Sequence, residues 1–274
     1  MLKFATDKRS EDMARIVPLF SGSKGNCYYI GTAAQGVLID AGRNCKQIET
    51  AMETNGLSMK SVGAVFVTHE HIDHCAALKV LTKKHKLPVF ASEGTLQALA
   101  ARDRITPDVK IQLIRDAADL GDMRVQRINT PHDAAESCCY RIITPDGKTA
   151  MIATDIGHVT EEIRSALATC QLVVLESNHD IEMLRTGPYT YILKKRILSD
   201  HGHLSNDACA AELTQLVRTG TLRLMLGHLS EINNTPQIAL RTSVAELERA
   251  GMKYKKDYTL DVAPSTPEVK SVIF

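Results

Sequence analysis

Thr68-His69-Glu70-His71-Ile72-Asp73-His74 places three histidines, one glutamate and one aspartate within the six residues from 69 to 74. The stretch directly follows the apolar, β-type run Ala64-Val65-Phe66-Val67. A turn at the end of a strand can aim His69, His71, Asp73 and His74 at one small volume. Imidazoles and carboxylates suit zinc, and oxygen-richer mixtures of the same ligands accept manganese or iron. The pattern H-x-H-x-D-H behind a strand is far more constrained than a histidine-rich polar loop, so the stretch reads as a metal site.

Composition bounds what surrounds that site. At 274 residues and 44% hydrophobic, the chain can bury a large core. No apolar run approaches the roughly 18 residues of a membrane span. Met1-Leu2-Lys3-Phe4-Ala5-Thr6-Asp7-Lys8-Arg9 lacks the apolar stretch of a signal peptide, so a cytoplasmic enzyme is expected. The seven cysteines include no C-x-x-C pair and read as reduced, small core residues. Cys138 and Cys139 are adjacent, so in a strand they would point to opposite faces. A net charge of +1 provides no global field, so a nucleic-acid ligand would need a local basic patch. With no Trp and 4% aromatics, a broad base-stacking platform is not expected.

Residues 1–14 are polar and expected to fray. Strands are expected over 15–20, 27–32, 36–40, 62–68, 89–91, 123–129, 138–144, 149–154, 172–175, 222–227 and 258–262. Helices are expected over 45–54, 75–84, 93–101, 160–169, 190–198 and 206–219, and from Thr235-Pro236 to about Ala250. Thr235 would be the N-cap and Pro236 would occupy the first turn. Pro145-Asp146-Gly147 is a hairpin turn. Two β-rich halves, each with helices, suggest two sheets packed face to face with helices outside.

The metal motif resembles the signature of the metallo-β-lactamase superfamily, and the rest of that pattern follows in order. Asp40 ends Val37-Leu38-Ile39-Asp40, and His132 follows Asn129-Thr130-Pro131. Asp155 ends Ala150-Met151-Ile152-Ala153-Thr154-Asp155, and His228 ends Leu224-Met225-Leu226-Gly227-His228. The resemblance covers essentially the whole chain and implies the α/β, four-layered αββα sandwich, here as one domain over 1–274. Only 73 residues separate Asp155 from His228, so the β-CASP insertion of RNase J-type relatives is absent. Phe20-Ser21-Gly22-Ser23-Lys24-Gly25-Asn26, Glu176-Ser177-Asn178-His179-Asp180 and Gly202-His203-Leu204-Ser205-Asn206 are similar to the YycJ (WalJ, VicX) family. Membership would imply a metal-dependent nuclease, with 5′-to-3′ exonuclease action on DNA ends.

That resemblance implies a ligand set and two divalent metal ions, zinc or manganese. His69, His71 and His132 would hold one ion; Asp73, His74 and His228 would hold the other; Asp155 would bridge them. Such a pair, about 3.5–4 Å apart, supplies an activated hydroxide and neutralises phosphate charge. Asp73 would also orient the water, and Asp40 would fix the metal loop by hydrogen bonds. By similarity to the tRNase Z branch, His203 is the candidate general acid or phosphate ligand, with His201 a rival and a plain loop residue the alternative. His179 is a supporting candidate. Lys194-Lys195-Arg196 either lines a phosphate-binding groove or is a solvated helix face. Ser21 to Asn26 is either a backbone phosphate nest or a tight hairpin. Two other functions share the fold: a small-molecule metallo-hydrolase (cyclic phosphodiesterase, thioesterase or lactonase) and a non-catalytic nucleic-acid-binding accessory protein. All seven candidate ligands are present, which disfavours the second.

Overall fold

The structure is a computed structural model and describes residues 13–274. The strands of its first half are β1 (Arg15–Phe20), β2 (Cys27–Gly31), β3 (Gly36–Ile39), β4 (Val62–Phe66), β5 (Val89–Ala91) and β6 (Ile111–Leu113). Those of the second half are β7 (Ala117–Leu120), β8 (Met123–Asn129), β9 (Cys138–Ile143), β10 (Thr149–Ala153), β11 (Leu172–Glu176), β12 (Arg223–Gly227), β13 (Thr259–Val262) and β14 (Val272–Ile273). They form two sheets, ordered β14-β1-β2-β3-β4-β5-β6 and β13-β12-β11-β10-β9-β8-β7.

Most central strands are buried on both faces, which is why they read as near-continuous apolar runs. Successive side chains still divide between two layers. Ile16, Tyr28, Ile39 and Phe66 of one sheet meet Tyr140, Ile152 and Val174 of the other in the central core. Phe66 stacks on Phe90 at 4.6 Å and meets the edge of Tyr140 at 5.4 Å. Val17, Leu38 and Val65 point the opposite way, onto α1 (Cys45–Thr54), α3 (Leu78–His85) and α4 (Glu93–Ala101). Met151, Val173 and Leu226 likewise face α5 (Glu161–Leu167), α8 (Asn206–Thr219) and α9 (Pro236–Arg249). The result is the expected αββα sandwich. All seven cysteines are free; Cys138 lies in the central core and Cys139 in the outer layer.

Helix starts follow local chemistry. Asn44 and Gln47 form a reciprocal capping box on α1, and the Thr235 hydroxyl accepts from Ile238 N at 3.2 Å ahead of α9. Three local readings differ from expectation. The helix expected over 75–84 is split into a single turn, α2 (Ile72–Cys75), and α3. Ala41 N donates to the His74 carbonyl at 2.8 Å and Ala77 N to the Ala41 carbonyl at 2.9 Å, so tertiary bonds to the end of β3 replace part of the helical ladder. The short strands β6, β7 and β14 and the helix α6 (Ile181–Thr186) were not anticipated; β6 and β7 are polar-mixed strands near the sheet edges. Of the segment expected to fray, residues 1–12 lie outside the described residues. Ala14 is buried, and its carbonyl accepts from Phe274 N at 3.2 Å where β14 closes over β1.

Candidate metal centre

β3 and β4 run parallel, as do β10, β11 and β12, so their C-terminal ends gather at one end of the sandwich. β8 runs in the direction of β10, because each is antiparallel to β9, so His132 emerges at the same end. Open α/β sheets place ligands there. Asp40, Asp155 and His228, at or just past the ends of β3, β10 and β12, all adopt left-handed backbone, with φ of 64°, 59° and 53°. Such conformations cost about 1–3 kcal/mol each outside glycine and persist where the surroundings over-determine them. The chain turns sharply at each and carries its side chain into the groove or its wall. The two sheets are tied together at this end: Cys138 N donates to the Thr68 carbonyl at 3.1 Å, and His228 N to the Ser21 hydroxyl at 2.7 Å.

The 69–74 turn is packed too tightly against β3 to tolerate a side chain at Gly42. A Cβ there would sit 1.6 Å from the Asp73 carbonyl oxygen and 2.6 Å from Asn26 N. Gly42→Ala should therefore displace the turn and cost about 1–3 kcal/mol or more, read as a lowered Tm. An unchanged Tm would show that the turn can move aside.

Four of the buried histidines share one orientation. Nδ1 of His74 meets Asp40 at 2.8 Å, Nδ1 of His69 meets the Thr68 hydroxyl at 3.0 Å, and Nδ1 of His132 donates to the Gly202 carbonyl at 3.1 Å. Nδ1 of His228 donates to Glu176 at 2.8 Å. Each Nε2 is thereby turned toward a common volume, the arrangement in which metal-ligating imidazoles are held. Nε2 of His69, His132 and His228 and Oδ2 of Asp155 are buried with no hydrogen-bond partner among the described residues. Asp155 Oδ2 meets His74 Nε2 only as an ion-pair contact, at 3.2 Å. Four convergent orphaned atoms are costly unless a cation joins them. Ligand atoms of His69, His71 and His132 lie within 4.8 Å of one another, as do those of Asp73, His74 and His228 and those of His69, His74 and Asp155. The donor set and its geometry fit divalent cations.

A model of the β-lactamase superfamily domain matches residues 35–229. The chain is 38% identical over 253 residues to exodeoxyribonuclease YycJ of Bacillus anthracis, covering 91% of this chain and 95% of that one. The chain belongs to the YycJ/WalJ family of the metallo-β-lactamase superfamily. Exodeoxyribonuclease WalJ of Streptococcus pneumoniae is 32% identical, covering 90% of this chain and 94% of that one. Among solved structures, the metallo-β-lactamase-fold protein YhfI of Bacillus subtilis superposes with a TM-score of 0.68 at 14% identity, covering 95% of this chain and 99% of that one, a likeness of fold.

Within this family framework, charge explains the ionisation of the site. Burial, then the neighbouring His74, holds His69 well below the ordinary imidazole pKa, and burial lowers His132 despite Asp155. Both are thus neutral donors. Burial also opposes charge on His74, but Asp155, Asp40 and Asp73 outweigh it and hold His74 well above the ordinary range. His228 is pushed up to about 10, with Asp155, Asp73 and Glu176 overcoming burial. Asp73 and Asp155 are held well below the carboxylate range, because facing imidazoles overcome desolvation.

Glu176 is the site residue that motif reading missed. It ends β11, fully buried, with its pKa drawn down to about 2; burial opposes this, and His203 and His228 outweigh it. Oε1 accepts from Nδ1 of both His203 and His228 at 2.8 Å, and Oε2 accepts from Ile156 N at 2.8 Å and Leu204 N at 3.1 Å. One carboxylate thus orients two imidazoles and joins the loops after β10, α7 (Tyr191–Ile197) and β12. A glutamate closing an apolar strand buried on both faces was the available signal, since a charge there must be paired. Glu176→Gln puts an amide N–H₂ against these donors and should lower metal affinity or rate about 10–100-fold, measured by chelator competition and turnover. Wild-type values would show that the carboxylate orients nothing.

The other candidates divide. Asp40 accepts from Thr68 N at 2.8 Å and contacts His74, so it braces the metal turn from behind. His203 enters a groove of about 190 Å³ together with His71, Asp73, Asp155 and His228. His201 is exposed and contributes its carbonyl, which accepts from Asp133 N. His179 is buried, both ring nitrogens lack partners among the described residues, and burial holds its pKa near 4; it does not line the groove. Of the basic run only Arg196 lines the groove, its guanidinium forked onto Asp133. Lys194 Nζ donates to the Arg185 carbonyl at 2.7 Å, and Lys195 is exposed. In the Ser21–Asn26 loop the amides of Gly22, Gly25 and Asn26 are satisfied within the chain, which supports a tight turn over a phosphate nest.

Proposed function

We propose that this protein is a metal-dependent exodeoxyribonuclease that hydrolyses phosphodiesters from DNA ends with 5′-to-3′ polarity, acting as one domain. The observation that carries the metal-dependent part is the convergence of His69, His132, His228 and Asp155 with orphaned ligand atoms. The DNA substrate is supported by two relatives, each matched over at least nine tenths of this chain, whose names are exodeoxyribonucleases. Among the described residues no helix is long and apolar enough to cross a membrane.

His69, His71 and His132 would hold one divalent ion and Asp73, His74 and His228 a second, with Asp155 between them; zinc and manganese both suit these donors. When bound, such ions activate water and neutralise phosphate charge. The chain itself supplies the rest. Asp73, the partly exposed carboxylate at the groove, accepts a hydrogen bond from the attacking water and orients it. Glu176 holds His203 by Nδ1, which leaves Nε2 to give a proton to the departing oxygen. Arg196, at the groove wall, meets phosphate charge.

Purified protein reconstituted with zinc or manganese should carry more than one metal equivalent and shorten end-labelled DNA stepwise. Metal content that stays at zero under excess, or no cleavage of any strand in either metal, would overturn this reading.

A further inference from the structure

Two of the most exposed large hydrophobic side chains, Tyr191 at 79% and Ile192 at 80%, sit on α7, the helix that walls the metal groove. Leu193, Arg196 and Ile197, spaced as one helix face, line that groove, and so does Tyr189, two residues before the helix begins. At 3.6 residues per turn, Ile192 stands about 40° round from Arg196, at the lip of the groove. Tyr191 lies about 200° from Leu193, on the opposite face. An apolar side chain held in water beside a polar, cation-binding groove is unexplained by packing.

We propose that Tyr189 and Ile192 form a nucleoside shelf, against which the base next to the scissile phosphate packs. This rests on the nuclease reading above. A nucleotide is the occupant with matching chemistry. Its phosphate belongs between Asp73 and His203, its apolar base faces reach the Tyr189 ring and Ile192, and the continuing backbone meets Arg196 and Lys195. A base-bearing anion complements an apolar lip set between cations. A neutral apolar ligand would leave the exposed Lys195 unmatched, Arg196 being already forked onto Asp133, and an acidic one without a base would leave the lip exposed. The shelf holds one base, which agrees with a chain poor in aromatics, and it reads no sequence because every base has an apolar face.

The test compares kcat/KM of the metal-loaded protein on single strands with normal ends and on strands whose two terminal nucleotides at either end are reduced abasic sites. The wild type should prefer normal ends by about 5- to 100-fold. Tyr189→Ala and Ile192→Ala should each reduce that ratio toward one, while Tyr189→Phe and Tyr191→Ala should keep it. A wild-type ratio near one, or variants that slow both substrates alike, overturns the shelf and leaves the nuclease reading standing. A wild type that cleaves no strand overturns both. Ile192→Ala that keeps the ratio but changes the oligomeric state would assign the face to a second copy of the chain and overturn the shelf.

Discussion

Asp73→Ala is expected to lose about 10³-fold or more in kcat while keeping the circular dichroism spectrum of the wild type. Asp73 Oδ2 lies 3.4 Å from His74 Nε2 and 3.6 Å from His228 Nε2, so it belongs to the ligand cluster. Its side chain is 21% exposed, against 4% for Asp155, so of the two carboxylates that line the groove it is the more open to water. On the proposed reading, removing it takes away a ligand and the acceptor that aligns water. The fold should survive because the turn is held by main chain: the Asp73 carbonyl accepts from Asn26 N at 2.7 Å, and alanine retains that oxygen. Near-normal turnover would show that another group positions the water. Loss of the spectrum would show that the carboxylate is structural.

His203→Ala is expected to retain its metal and lose about 10²–10⁴-fold in rate on DNA. The imidazole contacts Glu176 through Nδ1 and stands with its ring centre 5.1 Å from that of His132 and 5.3 Å from that of His228. It therefore borders the candidate ligand cluster, which is where the proposed mechanism needs a proton donor. The defect should shrink on a nitrophenyl phosphodiester, whose leaving group departs without a proton. Equal loss on both substrates would assign His203 to phosphate contact instead. Full activity on DNA would remove it from the mechanism. His201→Ala, altering an exposed ring, serves as the matched control and should change neither.

The strand ends that carry Asp40, His69, Asp155 and His228 were legible because each closes a short apolar run with a ligand-type residue. The pattern is local, and a strand end aims its next residues in a predictable direction. Glu176 was harder to recognise. It also closes an apolar run, but its role depends on His203 and His228, 27 and 52 residues away, which meet it only when the loop after α7 folds over β11 and β12 pairs with it. The split between α2 and α3 was hidden for a similar reason: the bonds that interrupt the helix come from Ala41, just past the end of β3.

Sequence by itself determined which chemistry this chain can perform. Donor type and spacing are covalent facts, and the apolar periodicity that builds two doubly buried sheets is written in neighbouring residues. Tertiary structure alone decided how those donors are used. It turned the imidazoles of His69, His74, His132 and His228 by giving each Nδ1 a partner, separated Arg196 from Lys194 and Lys195 by helical phase, and left His201 and His179 out of the groove. Those outcomes depend on distances between segments far apart in the chain, and hydrogen bonds act only over about 3 Å.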